Sequence, residues 1–287
     1  MSKDFTIKPL EPHMLTDMYL TFLDSFSDYQ VPFKLSKKQF VDKFVSKLKI
    51  DFDHSVGAWN TTLGMDAFVF TTIAQYQNKR IAYNGGTGVR PKARKNDLVV
   101  KMYDYLLPRL KSIGVEQCVL EVLVQNQKAI RAYQKVGFKK TGLLRCYKLY
   151  NPTSLPRHAS VKYKLTSAAQ PILYESFIDE SASFLDALLL DGDYSQEKII
   201  EAYDQSKCVG FLIYQPSFSR INLLGVSQIY RRMGIARGLL SALIEIEKLK
   251  NITVLNVPEK GAGLNAFFTN MGFKNELNQY EMRLDLT

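Results

Sequence analysis

Cysteine and histidine are scarce, at three each in 287 residues. Cys118, Cys146 and Cys208 are widely spaced, form no CxxC pair and leave an odd total. That excludes a closed disulfide framework and fits no zinc spacing. Reduced structural cysteines in a cytoplasmic protein are the expectation. His13, His54 and His158 lie near no serine or cysteine in a nucleophile-like setting, so they read as structural or surface residues. Long apolar runs are missing too: no stretch approaches the ~20 residues that a membrane helix needs. The start, Met1-Ser2-Lys3-Asp4-Phe5, has an early acid and no apolar core, so no signal peptide is expected. The net charge is +10, yet no lysine or arginine run is interleaved with aromatics, and nucleic acid is not an expected partner. What is present, 46% hydrophobic and 23% charged residues, is the composition of a soluble globular protein. Its length suits two domains better than one.

The chain contains itself twice. Gly88-Val89-Arg90-Pro91-Lys92-Ala93-Arg94-Lys95-Asn96-Asp97-Leu98 has a counterpart in Gly225-Val226-Ser227-Gln228-Ile229-Tyr230-Arg231-Arg232-Met233-Gly234-Ile235. Each ends an apolar strand, crosses a short basic loop and opens an amphipathic helix. Arg94 and Arg231 are 137 positions apart. A second marker follows each helix: Ala132-Tyr133-Gln134-Lys135-Val136-Gly137-Phe138, then Phe267-Phe268-Thr269-Asn270-Met271-Gly272-Phe273. Gly137 and Gly272 are 135 apart, nearly the same offset. One unit has been duplicated.

The division falls at 164–171, where Thr166-Ser167-Ala168-Ala169-Gln170-Pro171 is small, polar and ends in proline. Domains of 1–165 and 171–287 are expected. In the first, 11–26 and 36–48 have apolar residues at helical spacing, with Ser36 as N-cap and Gln39 three residues on. Strands are expected over 54–60, 67–75, 80–89, 117–124 and from 140, the last with a possible partner at 160–165. Helices are expected over 98–113, ending at Gly114, and 128–136. The second domain reads as helices at 183–190, 195–202, 235–248 and 263–270, with strands at 208–214, 220–226, 253–257 and 276–286. This alternation around a mixed sheet is α/β class. Three glycines in Tyr83-Asn84-Gly85-Gly86-Thr87-Gly88 point to a bulge, a close approach of ligand to backbone, or a flexible hairpin.

A strand ending in valine, then Arg231-Arg232-Met233-Gly234-Ile235-Ala236 opening a helix, resembles the pyrophosphate loop of the GNAT acyltransferases. Asn126-Gln127-Lys128-Ala129-Ile130-Arg131-Ala132-Tyr133 and the Gly137-Phe138 turn resemble the second signature of that family. The likeness covers nearly the whole chain, and two copies in tandem resemble its double-domain members. It implies two GNAT folds and acetyl-CoA as coenzyme. It further implies transfer of an acetyl group to a primary amine, whether of a small molecule or a peptide. A basic surface would suit a ligand with several phosphates. Helix-start N–H groups without partners, with a glycine that lets backbone approach closely, form an anion site. The resemblance places Gly88, Val89, Arg94, Lys95, Asn96, Asp97, Leu98 and Asn126 at the coenzyme in the first copy. In the second it places Val226, Arg231, Arg232, Met233, Gly234, Ile235 and Ala236 there.

Each copy departs from the pattern. In the first, Asp97 and Val99 stand where the second has Gly234 and Ala236. The Asp97 carboxylate either caps the helix itself and repels an anion, or points away and leaves the backbone amides free for the coenzyme. In the second copy Phe268 replaces the tyrosine, and Gly261-Ala262-Gly263-Leu264 replaces the Asn-x-x-Ala element. The resemblance puts the Tyr133 hydroxyl near the coenzyme sulfur, where it can protonate the thiolate. Packing on the core is the other reading. Strand alternation puts Glu121 on the face of Val119 and Leu123, where burial would suit it to accept the amine proton. A pairing with lysine or arginine is equally open. Asp24 and Asp28, in the aromatic-rich segment 22–33, are candidates to receive a cationic amine or simply solvated helix-end acids. The leading expectation is chemistry in the first domain, with a non-catalytic coenzyme- or partner-binding protein as the alternative. Chemistry in the second domain without a general acid is the third possibility.

Overall fold

The sequence folds twice into one succession of elements, seen in a computed structural model that describes residues 5–28, 35–60, 64–179, 183–187 and 194–287. The first copy runs β1 (Phe5–Pro9), α1 (Leu15–Ser25), α2 (Lys37–Val41), β2 (Val56–Asn60), β3 (Gly64–Tyr76), β4 (Lys79–Val89), α3 (Leu98–Ser112), β5 (Gln117–Leu123), α4 (Gln127–Val136) and β6 (Lys139–Tyr150). The second runs β7 (Val161–Thr166), α5 (Pro171–Glu175), α6 (Phe184–Ala187), β8 (Lys198–Asp204), β9 (Lys207–Gln215), β10 (Arg220–Val226), α7 (Ile235–Glu247), β11 (Asn251–Pro258), α8 (Ala262–Asn270) and β12 (Lys274–Asp285). Local sequence explains most of this. Ser36 caps α2, its Oγ accepting from the Gln39 N–H at 3.2 Å while the Gln39 side chain accepts from the Ser36 N–H at 2.9 Å. α2 then continues as a π-helical turn, Asp42–Lys47. In α7, Ile235, Leu239, Ala242 and Leu243 recur at helical spacing, and all are buried in the core of the second unit. Burial of each leucine there contributes roughly 2 kcal/mol.

Chain contacts divide the protein into two units. Unit 1 comprises Met1–Thr141 with Glu281–Thr287, and unit 2 comprises Gly142–Tyr280. Strands β1 to β5 follow one another across the sheet of unit 1, and the order in unit 2 is β6-β11-β10-β9-β8-β7. The division at 164–171 read from the sequence is thus displaced. Strand β7 pairs antiparallel with β8 from Val161↔Asp204 to Thr166↔Ile199, which makes it the first strand of the second unit rather than a closing strand of the first. Strand β6, from the first copy, pairs with β11. In return, the Leu286 N–H donates to the Glu116 carbonyl at 2.8 Å, and Gln117 donates to Asp285 at 2.6 Å. Each unit is completed by the last strand of the other copy.

Two further readings are corrected. The helix expected over 195–202 is instead strand β8, because Ile199, Ile200, Glu201 and Ala202 are all buried, as befits a strand covered on both faces. Strand β1, five residues long, was not anticipated. Of the helix expected over 183–190, α6 forms at 184–187 and 188–190 lie outside the described residues, as do 29–33 of the aromatic-rich segment.

What positions the site is the way each sheet opens. β4 and β5 run parallel but pair only from Ile81↔Gln117 to Tyr83↔Val119. β10 and β11 pair only at Arg220↔Thr253 and Ile221↔Val254. Beyond those rungs the edge of β10 facing β11 has no strand partner among the described residues. At the same place both strands bulge. Gly85 is skipped in the pairing with β3, as the glycine-rich sequence implied, and Asn222 is skipped in the pairing with β9. The glycines themselves answer to packing within the chain. A Cβ on Gly85 would lie 2.0 Å from Leu48, and one on Gly88 would lie 2.5 Å from the Phe68 ring.

Gly225 meets the Phe211 ring in the same way, at 2.5 Å. Gly225→Ala is therefore expected to destabilise unit 2 by about 2 kcal/mol, through forced movement of a packed ring. Gly263 lies inside α8 with nothing within 4 Å of a Cβ, so Gly263→Ala is expected to stabilise by about 0.5–1 kcal/mol. Thermal unfolding of the two variants should shift in opposite directions. The three cysteines are free and buried, and burial pushes the Cys118 thiol up to about 12 and that of Cys208 to about 11. Reaction with a thiol reagent at pH 8 should be slow in the native protein and rapid for all three on addition of denaturant.

Candidate functional site

The two basic loops have the same backbone. In each, a 3₁₀ turn (Pro91–Ala93, Gln228–Tyr230) leads to an extended arginine, then to a left-handed residue, and then to a second left-handed residue at the helix start. Lys95 and Arg232 have φ of 68° and 64°; Asp97 and Gly234 have φ of 51° and 82°. Asp97 has therefore kept the conformation that glycine adopts freely, at the strain a side chain brings there. Its carboxylate does not cap α3. It pairs with Lys135 at 2.9 Å, and both groups are exposed. Of the two readings open in the sequence, the one in which Asp97 points away matches this geometry. Leu98 and Ile235 are buried under their loops, and Asn96 is turned inward, donating to the Ala93 carbonyl at 2.9 Å. Neither α3 nor α7 has a side-chain cap, so the first-turn N–H groups of both are left for another partner.

Arg94 and Arg231, expected to face coenzyme phosphate, are engaged elsewhere. Arg231 donates through Nε to the Val226 carbonyl at 3.0 Å, through Nη1 to Asp179 at 2.5 Å and through Nη2 to the Phe177 carbonyl at 3.3 Å. Arg94 repeats the tie to Val89, Asp28 and Ser25 at 3.3, 2.5 and 3.1 Å. These guanidiniums fasten the loop to the strand end and to the segment after the front helix. The Arg94 hydrogen bond holds the Asp28 carboxyl below its ordinary value, so the tie is intact at neutral pH and is released only in acid. Asp28, considered as an amine receptor, is thus committed to Arg94, and Asp24 lies 3.7 Å from Arg90.

In unit 2 these elements enclose a cleft of about 890 Å³. Its walls are the open edge of β10 from Ile221 to Val226, the facing residues Val254 to Pro258, the loop and helix start from Tyr230 to Arg237, and α8 with Phe268. Arg232, Met233, Gly234 and Ala236 all line it, with Arg232 and Met233 exposed. Phe268 is 1% exposed, and the turn after it is held by the Phe273 N–H donating to the Phe268 carbonyl at 3.0 Å. The matching turn in unit 1 has the Phe138 N–H on the Tyr133 carbonyl at 3.0 Å, with Gly137 left-handed at φ 113°.

Tyr133 is 7% exposed, its ring edge-on to Phe138 with centroids 5.8 Å apart. Glu121 is half-buried on a strand whose neighbours are mostly buried, and its carboxylate accepts a hydrogen bond from the Tyr83 hydroxyl. Asn126 is the N-cap of α4, its side-chain oxygen accepting from the Ala129 N–H at 3.2 Å, so this side chain serves the helix. Gly88 and Val89 end the strand at the loop, with the Val89 carbonyl held by Arg94.

Sequence reasoning missed a polar corner of the unit 2 cleft. Ser183, Asp186 and Asn222 line it and are buried. Asp186 accepts from Arg220 at 2.5 Å and from Ser183 at 3.0 Å. The signals were an asparagine within the apolar strand Ile221-Asn222-Leu223-Leu224 and an aspartate within Phe184-Leu185-Asp186-Ala187. Among the described residues no group of His, Cys, Asp or Glu could hold a metal ion, and no helix is long and apolar enough to cross a membrane.

Comparison with known proteins agrees with this architecture. Residues 48–138 match the model of the acetyltransferase (GNAT) family, and 175–283 match that of an acetyltransferase (GNAT) domain. No curated protein matches the chain. Among solved structures, a GCN5-related N-acetyltransferase from Sphaerobacter thermophilus is 11% identical, with 98% of this chain and 96% of that chain covered and a TM-score of 0.76. A tandem GNAT protein from the clavulanic acid biosynthesis pathway is 10% identical, with 99% of both chains covered and a TM-score of 0.73. A GCN5-related glucosamine N-acetyltransferase region of a fungal multi-domain protein gives 14% identity, 99% and 38% coverage, and a TM-score of 0.74. At such identities these structures show a shared fold. With a GNAT match in each copy, the chain belongs to the GNAT acetyltransferases as a tandem, two-domain member.

Proposed function

We propose that the protein transfers an acetyl group from acetyl-CoA to an amine, with the coenzyme held in the cleft of unit 2. The observation that carries this is the cleft itself, lined by the complete Arg231-Arg232-Met233-Gly234-Ile235-Ala236 loop and by the unpaired edge of β10. The helix start suits a pyrophosphate: α7 has no side-chain cap, Gly234 is left-handed, and Arg232 is exposed beside it. The open N–H and C=O groups of β10 past Ile221 are suited to an amide-bearing arm and to polarising a carbonyl. When bound, the thioester supplies a carbonyl carbon that the amine attacks, the C–N bond forming as C–S breaks, with the amine proton lost to water and the thiolate released. Phe268 shields the leaving sulfur from water and offers it no proton. A thiol with a pKa of about 8.5 leaves acceptably without one.

A second reading is favoured by one feature of unit 1. The Asp97 carboxylate is turned to Lys135, so the helix start there also has N–H groups without a side-chain cap. In that reading the coenzyme lies beside Tyr133, which protonates the thiolate, and Glu121 accepts the amine proton. A single titration distinguishes the two.

Calorimetric titration of acetyl-CoA into the intact protein should give a stoichiometry near one. Gly234→Asp should weaken binding at least tenfold, because a carboxylate would stand at the anion site. Survival of binding in that variant would place the coenzyme in unit 1. Tyr133→Phe would then be expected to lower kcat about 10²-fold, whereas chemistry in unit 2 leaves kcat unchanged by that substitution. Absence of binding in the unaltered protein would overturn the proposal.

A further inference from the structure

The polar corner of the unit 2 cleft has hydrogen-bonding groups that no described residue satisfies. Asn222 is 7% exposed and lines the cleft, and among the described residues neither its amide nitrogen nor its amide oxygen has a hydrogen-bond partner. Buried amides are almost always paired, so an asparagine unmatched at both atoms points to a partner that comes and goes. Arg220, 7% exposed, has the same feature at Nε. The charges nearby are already matched: Asp186 accepts from Arg220 Nη2 and from Ser183 Oγ. What is left over facing the cleft is neutral, namely the donor and the acceptor of the Asn222 amide.

The repeat indicates why the asparagine is there. Position 222 is the bulge residue of β10, and its counterpart on β4 is Gly85, whose site is filled by Leu48. Unit 1 closes this point with an apolar side chain, whereas unit 2 has a carboxamide there. The bulge is also where the β10–β11 ladder has ended, beside the edge assigned above to the thioester.

We infer that Asn222, with Arg220 and Asp186 behind it, is the acceptor subsite of unit 2. Its ligand is an amine that carries a neutral amide group, such as an α-amino amide or a peptide unit. The ligand carbonyl accepts from the Asn222 amide nitrogen, and a ligand N–H donates to the Asn222 amide oxygen. With Asp186 neutralised, the corner has no unmatched negative charge to favour a polyamine. This assignment rests on the proposed acetyl transfer in unit 2.

The test uses the full chain, acetyl-CoA and four amines: glycinamide, isobutylamine (the same skeleton with methyl groups replacing the amide atoms), spermidine and glucosamine. Glycinamide should exceed isobutylamine at least tenfold in kcat/KM, since a site built for hydrogen bonds discriminates strongly against an analogue lacking them. Asn222→Leu should bring glycinamide down to the isobutylamine rate while calorimetric affinity for acetyl-CoA stays within twofold. Should that variant fail to fold, Asn222→Asp keeps the shape, removes the donors and should reduce the same ratio. Equal rates for the two isosteres, preference for spermidine or glucosamine, no turnover of glycinamide with coenzyme bound, or an unchanged ratio in a folded variant would each overturn the subsite. In all four cases coenzyme binding would stand, whereas loss of acetyl-CoA binding in the unaltered protein would fell the proposed function first.

Discussion

A pair of parallel strands that stops hydrogen bonding after two rungs leaves polar backbone without a partner inside a protein. Such groups are costly unless something meets them. In unit 2 the ladder between β10 and β11 ends at Ile221↔Val254, and the cleft, the bulge at Asn222 and the α7 helix start are all disposed around the space beyond. The arginine tie belongs to the same constraint. A loop that must hold its N–H groups in one direction has to be anchored, and Arg231 anchors it to Val226, Phe177 and Asp179 at once. The fold thus assigns Arg94 and Arg231 to rigidity, leaving the helix-start N–H groups of α3 and α7 without a side-chain cap.

The two copies have diverged against that common frame. Backbone conformation has been kept where side chains have not: Asp97 and Gly234 share a left-handed conformation, and Lys95 and Arg232 share another. Side chains have changed at matching positions, with Tyr133 against Phe268, Asn126 against Gly261, and Gly85 against Asn222. Conformation is fixed by the whole loop and its arginine, so it survives single substitutions. Reactivity belongs to individual atoms and does not.

Much of this was legible from residue order. The duplication, the loops, the Gly-Phe turns and the α7 stripe are local patterns, and local patterns survive in a sequence. The bulge at Gly85 was legible because glycine weakens a regular strand, so three of them together mark a place where the ladder is interrupted. The commitment of Arg94 to Asp28 was not, since the partner lies 66 residues away. Strand β8 was misread because Ile199, Ile200 and Ala202 are apolar on both faces, and a doubly covered strand has no period-two signature. The polar corner escaped notice because its members, Ser183, Asp186, Arg220 and Asn222, become a cluster only when α6 meets β10.

The exchange of final strands has a consequence for the order of folding. During synthesis the first copy emerges complete in sequence, yet seven residues of unit 1, Glu281–Thr287, follow the whole of unit 2. Until then the Glu116 carbonyl and the Gln117 side chain lack the partners that Leu286 and Asp285 bring. Strand β6, meanwhile, waits for β11. Unit 1 cannot close before the second copy has been made, and unit 2 needs β6 of the first, so the duplication is locked: a gene cut between the copies would encode two incomplete sheets.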